Sequence, residues 1–157
     1  TSFNLGDHTG DKQYRGILSF DTSSLPDTAV ITKITLKIRK QGLVGTDPFA
    51  ILGALKVDIR KTRFGSAVGL ANSDFQAAAS MSAIGDIPNT PVSNWYSKTW
   101  TVDTFFAFVH RASTTQFRLY FNTDDNDDSG ADYMRFYSGD HATASARPTL
   151  VIEYYVP

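Results

Sequence analysis

Five carboxylates and one amide crowd the stretch FNTDDNDDSGADYMRFY (Phe121–Tyr137): Asp124, Asp125, Asn126, Asp127, Asp128 and Asp132. Side chains of these types can coordinate a hard cation, supply an acid and a base, or hydrogen-bond their own backbone and fold a solvated turn. Like charges this close repel unless a cation or water screens them, so calcium is tested first. An EF-hand loop needs oxygen ligands at positions 1, 3 and 5, Gly at 6 and Glu at 12. Counting from Asp124 puts Asp124, Asn126 and Asp128 in the first three places, but Ser129 in the sixth and Arg135 in the twelfth. The loop is not an EF-hand. A looser calcium site stays open, with Asp124, Asn126 and Asp128 alternating to one side and Asp132 returning from the next strand. The competing reading is a hairpin loop of turn formers.

Catalysis by paired carboxylates needs two acids on rigid, facing elements with separated pKa values, and these acids share one loop. His8, His110 and His141 have no H-x-x-x-H spacing, so zinc has no support and each reads as a surface or edge residue. The chain has no Gly-rich phosphate loop and no G-x-S-x-G elbow, and Ser138-Gly139-Asp140 reads as a turn after a strand. The expectation is therefore that the protein is not an enzyme.

A different chemistry sits in SNWYSKTW, which holds both tryptophans, Trp95 and Trp100, beside Tyr96. Exposed aromatic rings stack on the apolar face of a sugar while polar neighbours bond its hydroxyls. Trp100 reads as the core-facing start of a strand, which leaves Trp95 and Tyr96 as ligand candidates. Tyr133, Arg135 and Tyr137 form a second patch on the polar face of their strand, next to the acidic loop.

These side chains need a scaffold, and the dominant period of the sequence is two. Ile34, Leu36 and Ile38 alternate with Thr35, Lys37 and Arg39. Leu55, Val57 and Ile59 alternate with Lys56, Asp58 and Arg60, and Phe117, Leu119 and Phe121 with Arg118 and Tyr120. YRGILSF, YMRFYS and TLVIEYYV complete a set of half-buried strands separated by turn residues such as Pro26-Asp27. The pattern predicts an all-β antiparallel sandwich, jelly-roll-like, as a single domain over 1–157. Two stretches break the period. Ser73 and Gln76 have capping-box spacing and predict a short helix from Asp74 to Met81, and DTFFAFVHRAS predicts a helical turn before the strand at Gln116.

Composition excludes some partners. A chain of 157 residues with 41% hydrophobic and 20% charged residues and a net charge of -1 has no basic excess to draw nucleic acid or an anionic membrane. No apolar run approaches the ~18 residues of a membrane span. The absence of cysteine excludes disulfides and thiol chemistry.

Two blocks, RGILSFDTSSLPDTAVITKITLKI (Arg15–Ile38) and DYMRFYSGDHATASARPTLVIEY (Asp132–Tyr154), resemble the DNRLRE-type domain of bacterial surface and secreted proteins. The front block has a strand ending in Phe-Asp, then Ser-Leu-Pro and a Thr-rich strand. The rear block has Arg-Pro, an apolar run and Glu-Tyr. That family is similar to jelly-roll carbohydrate-binding modules. The resemblance implies an extracellular or cell-surface location and a structural calcium. Members usually carry a further strand upstream of the Arg15 block. Either TSFNLGD supplies it in shortened form, or it is lacking and an exposed sheet edge can accept a strand from another chain.

The expected function is a non-catalytic extracellular module that binds polysaccharide or glycan within a larger surface or secreted protein. Its metal ligands would be Asp124, Asn126, Asp128 and Asp132, and its sugar ligands Trp95, Tyr96, Tyr133, Arg135 and Tyr137. The alternative is a structural or adhesive domain that assembles with neighbouring copies or domains by strand exchange or edge pairing. A jelly-roll lyase or hydrolase comes third.

Overall fold

The computed structural model describes every residue of the chain except Val68. Alternating sequences become strands: β1 (Ser2–His8), β2 (Lys12–Tyr14), β3 (Gly16–Asp21), β4 (Val30–Val44), β5 (Leu55–Lys61), β6 (Met81–Ile87), β7 (Trp95–Trp100), β8 (Thr114–Phe121), β9 (Tyr133–Tyr137) and β10 (Thr149–Tyr155). All pairings are antiparallel. One sheet runs β10-β4-β9-β1-β2, with β7 also paired to β4, and the other runs β3-β8-β5-β6. The protein is an all-β, jelly-roll-like sandwich.

β4 organises the larger sheet. At 15 residues it is long enough to pair with β10 over its first half, with β7 across Ile34–Arg39, and with β9 from Lys40 to Val44. β1 runs antiparallel to β9, which is antiparallel to β4, so the first strand points along β4 and the last, β10, against it. TSFNLGD forms a strand, β1, inside the sheet between β9 and β2. Its Gly6 lies at φ 134°, where an added Cβ would come 2.2 Å from the Asp132 carbonyl oxygen, so this crossing accepts only glycine.

The inward faces meet as the period predicts. Ile34, Leu36, Ile38 and Phe136 of one sheet and Leu55, Val57, Ile59, Phe117, Leu119 and Phe121 of the other have no exposed surface. Each such side chain contributes about 1.5–3 kcal/mol by leaving water. Trp100 is buried, as its position predicts, and its indole N–H donates to the Ile84 carbonyl at 2.7 Å.

The helix predicted over Asp74–Met81 does not form. A 3-10 turn covers Asn72–Phe75, and Met81 already begins β6. The reason lies on the neighbouring sheet: the Arg118 guanidinium takes the carbonyls of Asp74, Phe75 and Ala77 at 3.3, 3.3 and 2.7 Å. Those carbonyls would accept the hydrogen bonds of a continuing helix. The helical turn predicted before β8 is present as a 3-10 segment over Asp103–Phe108, with Phe105 and Phe106 buried. A single turn, α1 (Pro48–Ile51), escaped the sequence reading, although Asp47 followed by Pro48 is a cap followed by a first-turn proline. The Phe49 amide donates to Asp47 Oδ1 at 2.9 Å.

Candidate ligand-binding face

The outer faces of the two sheets differ. On the four-stranded sheet the polar residues Gln116, Arg118 and Asp58 are buried, because the segment after β5 folds back over them. The Phe64 amide donates to Gln116 Oε1 at 2.6 Å, the Phe64 ring lies 4.4 Å from the Arg118 guanidinium carbon, and Arg118 forms a salt bridge with Asp58 at 2.6 Å. The outer face of the six-stranded sheet carries no such cover over β9, and there Arg135 is exposed.

That open face holds four of the five sugar-binding candidates. Tyr133, Arg135 and Tyr137 point outward, while the alternate residues Met134 and Phe136 have no exposed surface. Trp95 starts β7 opposite Arg39 of β4, and the Arg39 guanidinium lies 5.9 Å from the Trp95 ring centre and 5.8 Å from that of Tyr137. At the other end of the face Tyr14 meets Tyr133 edge-on at 5.2 Å and His8 at 5.5 Å. His141 packs edge-on against Tyr137 at 4.6 Å. The result is an aromatic band crossing the strands from Tyr14 to Trp95, broken by the guanidinium groups of Arg135 and Arg39.

Tyr96 is a correction. It is 2% exposed, lies parallel to the Phe49 ring at 5.8 Å and meets Phe136 edge-on at 5.6 Å. Burial, and then the nearby Asp47 charge, push its phenol pKa up. Adjacent residues of a strand face opposite ways, so a face that presents Trp95 must bury Tyr96. Sequence reasoning also missed Arg39 and Tyr14. Arg39 was legible as the polar-face partner of Lys37, but its pairing with Trp95 is set by a register between strands more than fifty residues apart in the chain.

Beside Trp95 a groove of about 530 Å³ runs over β4, with Lys37 and Ser97 in it, Val92 on one side and Ala144, Ser145 and Thr149 on the other. Among the described residues the ion pairs are Lys33–Glu153, Lys56–Asp86 and Arg118–Asp58. Lys37, Arg39 and Arg135 are in none of them, so this face presents unneutralised positive charge in a chain whose net charge is -1.

The acidic loop first folds itself. Asp125 Oδ1 accepts from the Asp127 amide at 3.0 Å, Asn126 Oδ1 from Asp128 at 3.3 Å, and Asp128 Oδ1 from Gly130 at 2.6 Å. Asp127 and Ser129 both have φ 58°, the left-handed geometry such short polar side chains tolerate. Of the expected calcium ligands, Asn126, Asp128 and Asp132 come together: the Asn126 amide group donates to Asp128 Oδ2 at 2.8 Å and to Asp132 Oδ2 at 3.5 Å. Asp124 does not join them, because it turns toward Lys12 and Arg15.

Asp7, which the sequence reading did not single out, closes the group from β1. Its Oδ1 accepts from the Asp132 amide at 2.7 Å, Asp132 Oδ1 accepts from the Thr46 amide, and Asp7 and Asp132 are both buried. Burial, with the charges of Asp132 and Asp128, holds the Asp7 pKa above the ordinary carboxylate range against two backbone N–H donors. Among the described residues no group of three or more His, Cys, Asp or Glu is arranged to hold a metal ion.

Neither a protein-family model nor a curated protein matches the chain. Among the described residues no helix is long and apolar enough to cross a membrane.

Proposed function

We propose that the protein is a non-catalytic module that binds polysaccharide or glycan across the open face of the six-stranded sheet, within a larger secreted or cell-surface protein. The observation that carries this reading is Arg39 lying between Trp95 and Tyr137. Two rings supply stacking surfaces, and the guanidinium supplies several donors for hydroxyl or carboxylate oxygens. The cations Lys37, Arg39 and Arg135 favour chains that carry acidic groups. Calcium enters the reading as a structural ion: Asp7, Asn126, Asp128 and Asp132 offer hard oxygens, and a cation would offset the burial, and with it the repulsion from Asp132 and Asp128, that raises the Asp7 pKa.

The test is binding of the purified protein to neutral and acidic polysaccharides, in calcium and in chelator. Trp95→Ala and Tyr137→Ala should each weaken binding at least about tenfold, the effect of losing ~1.4 kcal/mol, with the melting temperature nearly unchanged. A folded wild type that binds none of the polymers would sink the proposal.

One observation favours assembly as a second reading. β10 is an edge strand with Val151, Tyr154 and Tyr155 41%, 43% and 55% exposed. Beside it a cleft of about 300 Å³ admits solvent to Phe20, Leu25, Leu150 and Ile152. A free apolar edge invites pairing with another strand. Sedimentation velocity over a hundredfold concentration range would show growing oligomers under this reading and one monomeric species under the first.

A further inference from the structure

At the edge of the sandwich beyond β2, a cleft of about 400 Å³ is lined by Lys12, Gln13, Arg15, Phe75, Gln76 and Asp124. Its volume is that of a small-molecule site. The deep wall is preorganised. The Arg15 guanidinium lies 4.1 Å from the Phe75 ring centre and 5.0 Å from that of Tyr120, its Nε donates to Gln13 Oε1 at 2.6 Å, and its Nη1 donates to the Phe75 carbonyl at 2.9 Å. Gln13 is itself fixed by donating to the Phe121 carbonyl at 2.9 Å. These contacts use the Nε donor and one Nη1 donor, on different sides of the guanidinium, and among the described residues its Nη2 donors have no hydrogen-bond partner. Around the mouth, Lys12 and Asp124 form no ion pair and Gln76 makes no side-chain hydrogen bond among the described residues.

The geometry points to a second saccharide site here, one that takes a single neutral sugar residue. A simple anion would pair with Lys12 or Arg15 but leave Asp124 facing a like charge, and a simple cation would pair with Asp124 but face both Lys12 and Arg15. A sugar hydroxyl donates and accepts at once, so neighbouring hydroxyls satisfy Asp124 on one side and Arg15, Lys12 and Gln76 on the other, with Phe75 as an apolar wall. The position agrees: Lys12 and Gln13 line the cleft while the next residue, Tyr14, ends the aromatic band, so both sites meet across β2. The choice of a sugar among polyhydroxylated ligands rests on the function proposed above.

The test uses the full chain and titrates glucose, galactose, mannose and xylose, each as the methyl glycoside, against the side-chain N–H signals of Arg15 and Gln76 and the indole signal of Trp95. At least one glycoside should shift the Arg15 and Gln76 signals saturably, with a dissociation constant on the order of 1 mM. Asp124→Asn and Gln76→Ala should each weaken that binding about tenfold or more, while Trp95→Ala leaves it within about twofold. Both cleft variants alter exposed side chains, so the fold is kept.

If polysaccharide binding depends on Trp95 while no glycoside moves the Arg15 and Gln76 signals, the cleft proposal fails and the sheet-face reading stands. Glycoside binding at the cleft with no polymer bound at Trp95 overturns the sheet-face reading and keeps this one. If free amino acids shift the Arg15 and Gln76 signals and the glycosides do not, the cleft is a zwitterion site and the proposal is wrong.

Discussion

Trp95 and Tyr96 are neighbours in sequence with opposite fates. Trp95→Ala removes a half-buried ring from an open face and should alter stability little. Tyr96→Ala empties a packed position between Phe49 and Phe136 and should cost about 3–5 kcal/mol. Urea denaturation of the two variants checks this, and similar losses for both would show that Trp95 is structural. Asp7 supplies a prediction about pH. Its folded-state pKa is raised, so its contribution to stability is greatest when both states are protonated and falls as pH rises through the folded-state value. Asp7→Asn keeps an oxygen acceptor for the Asp132 amide and removes the charge. Without calcium it should therefore raise the melting temperature at pH 7 and change it little at pH 3. With calcium at pH 7, the wild type should gain stability that the variant does not. A variant less stable than wild type in chelator at pH 7 would overturn this account of Asp7.

Among the elements, the strands were legible and the cover was not. Alternation in ITLKIRK, LKVDIRK and QFRLYF is read directly because the apolar residues of each strand share one face, even where, as in β5 and β8, the polar face is buried as well. The segment between β5 and β6 shows no such period, because backbone carbonyls bonded to Arg118 hold it, and a guanidinium one strand over leaves no trace in the local pattern. The same long-range dependence hid Asp7 from the acidic-loop reading and Arg39 from the tryptophan reading. The candidate face was thus half legible: the types and alternation of Tyr133, Arg135 and Tyr137 could be read from the chain, and the partners across the sheet could not. Arg118→Met strands Asp58 as a buried charge without its partner and should cost about 3–5 kcal/mol. It also releases the carbonyls of Asp74, Phe75 and Ala77. Limited proteolysis should accordingly cut the variant between β5 and β6 well before the wild type, whereas cleavage at equal rates would mean that other contacts hold the cover.

For the whole molecule, the two sheets share one continuous apolar core, so binding variants on the outer face should separate from folding variants within it. Leu119→Ala, at a position with no exposed surface on the central strand β8, should cost about 2–5 kcal/mol and lower the melting temperature by several degrees without changing polysaccharide specificity. Charge is also distributed by region: acids gather at the end formed by Asp7 and the 124–132 loop, and unpaired cations lie on the β4–β9 face.

The register of β1 and β10 against β4 has a mechanical consequence. Phe3 lies level with Lys40 of β4 through Phe136, and Tyr155 lies opposite Val30, so the start of one strand and the end of the other are offset by roughly 30 Å along the strand direction. Tension applied between residues 2 and 155 therefore runs mainly along the strands and drags β10 lengthwise against β4, loading its hydrogen bonds together, while β1 is turned back on itself and peels from its start. In single-molecule pulling from residues 2 and 155, β1 should detach at low force and the β10–β4 pair should hold to a higher one. Placed in a tethered chain, the protein would lengthen by a short step and then resist as a block.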